Sequence, residues 1–424
     1  MAMGGWAFPG MTWQTAKTPS HTHTQSNCMY LWDGIKERGL RLTRPMAVLT
    51  GSEDGLKLGT GSSGRMWKGN PLLHLDAALA AAFEAARSAG YERPCFAGAF
   101  HYDLRRCVEA YASPARDDLG LPWITGAVFG AAEPFSRADL EGWTLRAPAP
   151  PHWSGESMSR AAYEDGVRII VELEHAGEVY QVNLTRQLAA ACSSDPLVLW
   201  ARMALRARAP FSAFFDAGSF QVLSLSPERF LRRSGSRLWT EPIKGTVPRG
   251  ATPEEDAANL ARLLSSEKDA AELAMIVDVE RNDLGRVALP GSVRVEGHRE
   301  VISLPNVHHL ASTVGADLRA GTGLADILRA TFPGGSVTGA PKIRAMQIID
   351  ELEPVSRGFY CGALGWMDPN GDFDLSLTIR TATAKDGRLH LGAGGGIVVD
   401  SDPASEWEET VAKARCFVET RGDG

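Results

Sequence analysis

From Phe359 to Asp400 the chain reads FYCGALGWMDPNGDFDLSLTIRTATAKDGRLHLGAGGGIVVD, and no other stretch limits the fold so strongly. Runs rich in β-branched and aromatic residues stop at Asp-Pro-Asn-Gly and again at Lys-Asp-Gly. Such turns reverse a strand within a few residues, so the neighbours run antiparallel; parallel strands would each need a crossover of a dozen or more residues. A second pair, SFQVLSLSPERFLRR and SRLWTEPIKGT, flanks another short polar turn. Helical spacing appears between these clusters: in 71–91, from Ser159 (a candidate N-cap) to a stop at Gly177, through 252–287, and from Pro403 to the C-terminal region. Strands gathered in meanders with helices between the clusters read as α+β rather than an alternating parallel sheet.

The chain has 424 residues, enough for two or three domains. Residues 1–28 are polar and aperiodic and read as a flexible tail; His21, His23 and Cys28 could be drawn as a metal site, but nothing nearby supplies a rigid fourth ligand. Residues 29–150 read as an N-terminal α+β subdomain, the proline-rich 145–157 as a linker, and 158–424 as a second, larger unit. A net charge of −7 offers no basic field to hold a polyanion, so nucleic acid is not an expected partner. No run of about 18 apolar residues suggests a membrane span, and the start lacks a secretory pattern. Six scattered cysteines without C-x-x-C spacing fit free thiols in a reducing cytoplasm.

Four features carry possible chemistry. Asp269 and Glu272 stand three apart on one predicted helix, Glu406 and Glu409 three apart on the last; each pair shares a helix face. Brought together they would form an oxygen-rich site suited to Mg²⁺; apart, they are solvated faces paired with Lys268 and Lys413. Gly394, Gly395 and Gly396 strip a strand of side chains, so that backbone N–H groups can approach a carboxylate, or else mark a bulge. TFPGGSVTGAPK, with the hydroxyls of Ser336 and Thr338, runs into a helix but lacks Walker A spacing. Glu228, at a strand end, precedes Lys244 by 16 residues, so two antiparallel strands can bring an acid and an amine to one place, as a proton donor and a nucleophile or as a plain ion pair.

The order of the blocks AGEVYQVNLTR, SLSPERF, PIKGTVPRG, DAAELAMIVDVERNDLGRV, FPGGSVTGAPKIRAMQIIDELEP, YCGALGW, LTIRTAT and GAGGGIVVDSDPASEWEET resembles the chorismate-utilising enzymes over roughly 160–420. In the N-terminal part the likeness rests mainly on FAGAFHYDLRR. The resemblance implies large antiparallel sheets packed as a sandwich with helices outside, chorismate as substrate and Mg²⁺ as cofactor. It gives Glu272 and Glu409 the role of direct metal ligands, with Asp269 and Glu406 as nearby or water-mediated partners. The backbone of Gly394 and Gly396, with Gly395 between them, and Lys413 would surround the ring carboxylate. Arg380 and Tyr360 would hold the enolpyruvyl carboxylate, and Gly245, Thr246, His309, Ser336 and Thr338 would line the pocket.

Pro-Ile-Lys-Gly-Thr at 242–246 resembles the branch that aminates chorismate at C4; the anthranilate-forming branch usually carries alanine at the lysine position. By that likeness Lys244 adds to C2 while the C4 hydroxyl leaves with a proton from Glu228, and ammonia then attacks C4 and expels the lysine. Gln181 stands where the water-using branch carries a lysine base, and a neutral amide cannot serve as one. No cysteine has a Gly-x-Cys-x-Gly glutaminase context, so a separate glutamine amidotransferase subunit is the expected ammonia source. The competing readings are synthesis of anthranilate with loss of pyruvate and, from a different class, a non-catalytic chorismate-binding protein. Tryptophan feedback is not expected, since no Leu-Leu-Glu-Ser element stands near the N-terminus.

Overall fold

The computed structural model describes residues 5–7, 27–60, 63–109, 113–145 and 151–418. Its strands pair antiparallel into one continuous ribbon that divides into two halves. In one half His152–Glu156 pairs with Gln181–Ala191, which pairs with Arg388–Ile397, then Thr381–Lys385, Gln221–Ser226, Phe211–Asp216 and Cys28–Asp33. In the other, Cys95–Phe100 pairs with Ala363–Met367, followed by Phe373–Leu377, Arg229–Ser234, Arg237–Glu241, Val307–Asp317 and Arg294–Ser303. Two long strands, Arg38–Ser52 and Ile124–Ser136, pair with each other and link the halves; their register shifts between Pro45 and Ala47.

Alternation along the strands builds the layers, because side chains i and i+2 share a face. Met29, Leu31, Ala213, Phe215 and Val222 from one half meet Ala97, Ala99, Leu364 and Trp366 from the other in a central core. The opposite face of the first half (Tyr30, Trp32, Phe214, Leu223) is covered by the helices Pro196–Ala207 and Pro403–Val418 through Trp200, Ala414 and Phe417. That of the second (Phe96, Phe100, Leu231, Leu375) is covered by Leu75–Ser88, Glu267–Gly285 and Leu324–Thr331. A smaller core seats Arg160–His175 and Lys342–Leu352 on Val182 and Leu184. The α+β sandwich is therefore helix, sheet, sheet, helix.

The chain also crosses between the halves at Pro227-Glu228 and at Thr378–Arg380, where SFQVLSLSPERFLRR breaks into two strands instead of forming one. Proline has no N–H to give a ladder, so the sheet is left at that point. Backbone bonds tie the two crossings together: Leu377 N–H donates to Glu228 O at 3.1 Å and Leu225 N–H to Arg380 O at 2.9 Å.

Three expectations change. The boundary at 145–157 does not separate two sheets: strands before and after it pair directly, and its end, His152–Glu156, is itself an edge strand. Within the supposed flexible tail Gly5–Ala7 is docked: Trp6 is fully buried in the central core, its Nε1–H donates to Ser212 O at 3.2 Å, and Ala7 N–H donates to Asp374 Oδ2 at 2.8 Å. Residues 1–4 and 8–26, including His21 and His23, lie outside the described residues, while Cys28 begins a strand. Finally, the helical stretch 252–287 is two helices, Pro253–Ser265 and Glu267–Gly285, because Ser266 caps the second by accepting Asp269 N–H at 3.1 Å. Ser159 caps its helix as its position suggested.

Candidate active site

Lys244 lies on the strand Ile243–Pro248, paired with Val307–Asp317. Register slips by one residue between Lys244 and Thr246, and the extra residue, Gly245, has φ +70°. This is a bulge whose left-handed position favours glycine. A Cβ there would lie 3.0 Å from Asp269 Cγ, so glycine also lets the acidic helix Glu267–Gly285 pack against the strand. Thr246 Oγ1 and His309 Nδ1 are 2.8 Å apart on the paired strands. Burial, with Arg380 nearby, pulls His309 down to about 4, which leaves its imidazole neutral at pH 7.

Glu228 stands at the Pro227 crossing, 5% exposed. Ser336 donates its hydroxyl to Glu228 Oε1 at 2.7 Å. Burial pushes the carboxyl up to about 7, against the opposing pull of Ser336, Lys244 and Lys413. It is thus poised to carry a proton near neutrality.

The acidic pairs approach from two helices. Glu272 faces Lys244 at 3.7 Å and Lys268 at 3.9 Å. Glu409 pairs with Lys413 at 2.5 Å, and Lys413 also donates to Gly394 O at 2.9 Å. Burial raises Glu409, but Lys413, with Lys244 and Lys268, outweighs it and the carboxyl ends below its ordinary value; Glu406, chiefly desolvated, is raised. Glu406 Oε1 accepts from Ser401 at 2.7 Å, while its buried Oε2 has no hydrogen-bond partner among the described residues. The glycine strand makes room for these acids: a Cβ on Gly395 would lie 3.0 Å from Glu406 Oε2 and 3.2 Å from Glu409 Oε1.

These groups enclose one cavity of about 470 Å³, a volume suited to a small metabolite. Of the residues singled out by sequence, Glu228, Lys244, Gly245, Thr246, Asp269, Glu272, His309, Ser336, Tyr360, Arg380, Gly394, Gly396, Glu406, Glu409 and Lys413 line it. Arg380 holds φ +50° there, a conformation costing about 1–3 kcal/mol for a non-glycine residue. Gln181 and Gly395 sit just behind the wall. Gln181 is fully buried with both amide atoms unpartnered among the described residues, and a Cβ on Gly396 would meet its Nε2 at 2.5 Å and Lys244 Nζ at 3.2 Å. Thr338 is a correction: it does not line the cavity, because its hydroxyl turns back to Gly334 O at 2.9 Å and closes its own loop.

The sequence pattern of the chorismate binding enzymes matches residues 143–419. This chain belongs to that family. It is 45% identical to aminodeoxychorismate synthase component 1 of Klebsiella aerogenes, over 74% of each chain. It is 40% identical to anthranilate synthase component 1 of Pseudomonas putida, over 76% of this chain and 73% of the relative. Anthranilate synthase component I of Streptococcus pneumoniae TIGR4 superposes with a TM-score of 0.75 at 25% identity, covering 97% of this chain and 96% of that one.

In this chorismate-binding enzyme the cavity also takes in Asn183, Lys268, Gly392 and Ala393, which sequence reasoning did not select for the site. Asn183 follows Gln181 by two on one strand, so the strand period could have found it. Lys268 read only as a surface partner of Glu272, since nothing local reveals that its helix faces a cavity. As a donor set, four carboxylates on one cavity suit a hard divalent cation. Among the described residues no three His, Cys, Asp or Glu side chains are already gathered as a ligand group; Glu272 and Glu409 are engaged with lysines instead. The unpartnered Glu406 Oε2 is the oxygen most open to a new partner.

Proposed function

We propose that this chain converts chorismate and ammonia to 4-amino-4-deoxychorismate, the reaction named by its aminodeoxychorismate synthase relatives, as part of p-aminobenzoate and folate synthesis in the cytoplasm. The observation that carries the reading is an amine and a buried carboxyl, Lys244 and Glu228, lining one cavity. Lys244 gives a proton to solvent, leaves Glu272 and adds to C2 of the ring; the ring double bond shifts, and the C4 hydroxyl departs as water with the proton from Glu228. Ammonia then attacks C4, the double bond shifts back, the C2–N bond breaks to return the lysine, and the surplus proton on the new C4 nitrogen restores Glu228. Holding the ring against a fixed amine supplies the proximity that covalent catalysis needs. The Gln181 amide, behind the wall near Lys244, cannot deprotonate water, which favours amination over hydration.

Mg²⁺ is the proposed cofactor, offsetting the charge of the ring carboxylate when bound. Glu272 and Glu409 would hold it, with Asp269 and Glu406 as outer partners. Lys413 and the glycine-strand backbone would then face the same carboxylate, and Arg380, with its planar fork, the enolpyruvyl carboxylate beside Tyr360. Ammonia is proposed to come from a separate glutamine amidotransferase subunit, in keeping with the relatives' designation as component 1.

Product identification tests the reading. With chorismate, Mg²⁺ and ammonium the chain should make 4-amino-4-deoxychorismate, giving p-aminobenzoate only after a lyase is added, and Lys244→Ala should abolish that product. Fluorescent anthranilate from the intact chain would favour the competing activity, and binding without turnover would mark a non-catalytic protein.

A further inference from the structure

We propose that Glu280, a buried side chain outside the cavity, is a positioning residue that fixes the Gly334–Thr338 loop so that Ser336 is aimed at Glu228. This rests on the proton-donor role proposed for Glu228. Glu280 projects from the helix Glu267–Gly285 and is 2% exposed. Its Oε1 accepts Gly335 N–H at 2.9 Å, and the next residue, Ser336, donates its hydroxyl to Glu228 Oε1 at 2.7 Å.

The loop needs such an anchor because glycine-rich backbone gives up more entropy on being fixed than any other. On the downstream side Arg357 Nη1 donates to Val337 O at 2.8 Å and Asn183 N–H to Thr338 O at 2.8 Å. Further upstream Lys342 Nζ donates to Thr331 O at 2.9 Å and Pro333 O at 2.7 Å, and pairs with Asp283. Ser336 therefore hangs between Arg357, which holds the carbonyl of the residue after it, and Glu280, which holds the N–H of the residue before it. A Cβ on Gly335 would come within 2.9 Å of Val279 and 3.1 Å of Glu280 Oε1, so the loop is pressed onto this turn of the helix.

The chemistry of Glu280 suits a neutral acceptor. Its second oxygen is buried with no hydrogen-bond partner among the described residues. The charged groups facing it are Asp283, Lys342 and Glu228; burial and Asp283 hold its carboxyl up to about 7. A protonated carboxyl still offers its carbonyl oxygen to Gly335 N–H, and so does an amide. A thioether does not, and a side chain one methylene shorter falls short of the loop.

The test compares Glu280→Gln, Glu280→Met and Glu280→Asp in the full chain, each with and without Ser336→Ala, by steady-state turnover of chorismate at fixed free ammonia across pH. Met and Asp should lower kcat about tenfold or more with KM for chorismate within about threefold, a fraction of what a general acid supplies. They should also move the alkaline limb to higher pH, because the Ser336 bond that lowers Glu228 is lost. Gln should keep both near the parent values, and in the Ser336→Ala background none should add a further loss. The proposal is overturned if Met and Asp leave kcat and the limb unchanged, if Gln fails as they do, or if their effects multiply with that of Ser336→Ala. Asp keeps the comparison alive should Met fail to fold. The parent chain's product reports separately on the proposed function, since the coupling can be measured in any chorismate turnover it shows.

Discussion

Replacing Glu228 by glutamine separates proton donation from packing, since the amide has nearly the same shape and no proton to give. The buried carboxyl stands at about 7 against an ordinary 4.5. At about 1.4 kcal/mol per pKa unit, ionising it in the fold costs about 3 kcal/mol more than in the open chain. Two consequences follow from one number. In turnover, roughly half of Glu228 carries its proton at pH 7 and about a tenth at pH 8, so kcat should fall about fivefold over that unit and about tenfold per unit beyond it. In stability the sign is equally fixed. The folded value lies above the unfolded one, so the contribution is fully present below about 4.5 and is lost as pH rises through about 7. By pH 8 the parent chain should have lost about 3 kcal/mol from this source. Glu228→Gln should lower kcat by about 10²–10⁴ and erase the limb. Its stability, followed by urea titration from pH 5 to 8, should lack that share of the decline. The assay holds free ammonia constant so that the nucleophile's own titration does not enter. A parent profile flat from pH 7 to 9, or the same limb and the same stability loss in the glutamine variant, would refute the assignment.

Other expectations are more direct. Glu272→Gln or Glu409→Gln should weaken Mg²⁺ binding about tenfold or more by calorimetry; unchanged affinity in both would remove the acids from the proposed metal site. Trp6→Ala should cost about 3–5 kcal/mol in urea unfolding, the range for emptying a buried tryptophan site, whereas a freely moving N-terminus predicts no change. Gly392→Ala would push a methyl group into the ring of Tyr360. Since that ring lines the cavity, KM for chorismate should rise about tenfold, with thermal melts showing at most about 1–3 kcal/mol of overpacking.

Local chemistry was legible before any coordinates. Asp-Pro-Asn-Gly and Lys-Asp-Gly do reverse strands, at 368–371 and 385–387. Ser159 does cap its helix, and most of the acids, glycines and bases singled out do line one cavity. Each of these signals acts over a few residues, through backbone preference or the strand and helix periods, and so is written in the string. The failures share a cause as well. Ser266 is an ordinary residue until a neighbouring element requires the chain to turn there. Thr338 looks like a ligand-facing hydroxyl until the path of the loop returns it to Gly334 O. Trp6 looks like part of a tail until residues more than 200 positions away supply Phe211 and Ser212 to enclose it.

The residue types, their spacing along strands and helices, the antiparallel α+β class and the family are properties of the sequence by itself, because short-range sterics and order along the chain encode them. Which acid keeps a proton, which lysine neutralises which glutamate, and whether a buried carboxyl such as Glu280 meets the loop it steadies were decided only by the tertiary structure. Desolvation and Coulomb energy depend on distances between groups that the chain keeps far apart until it folds.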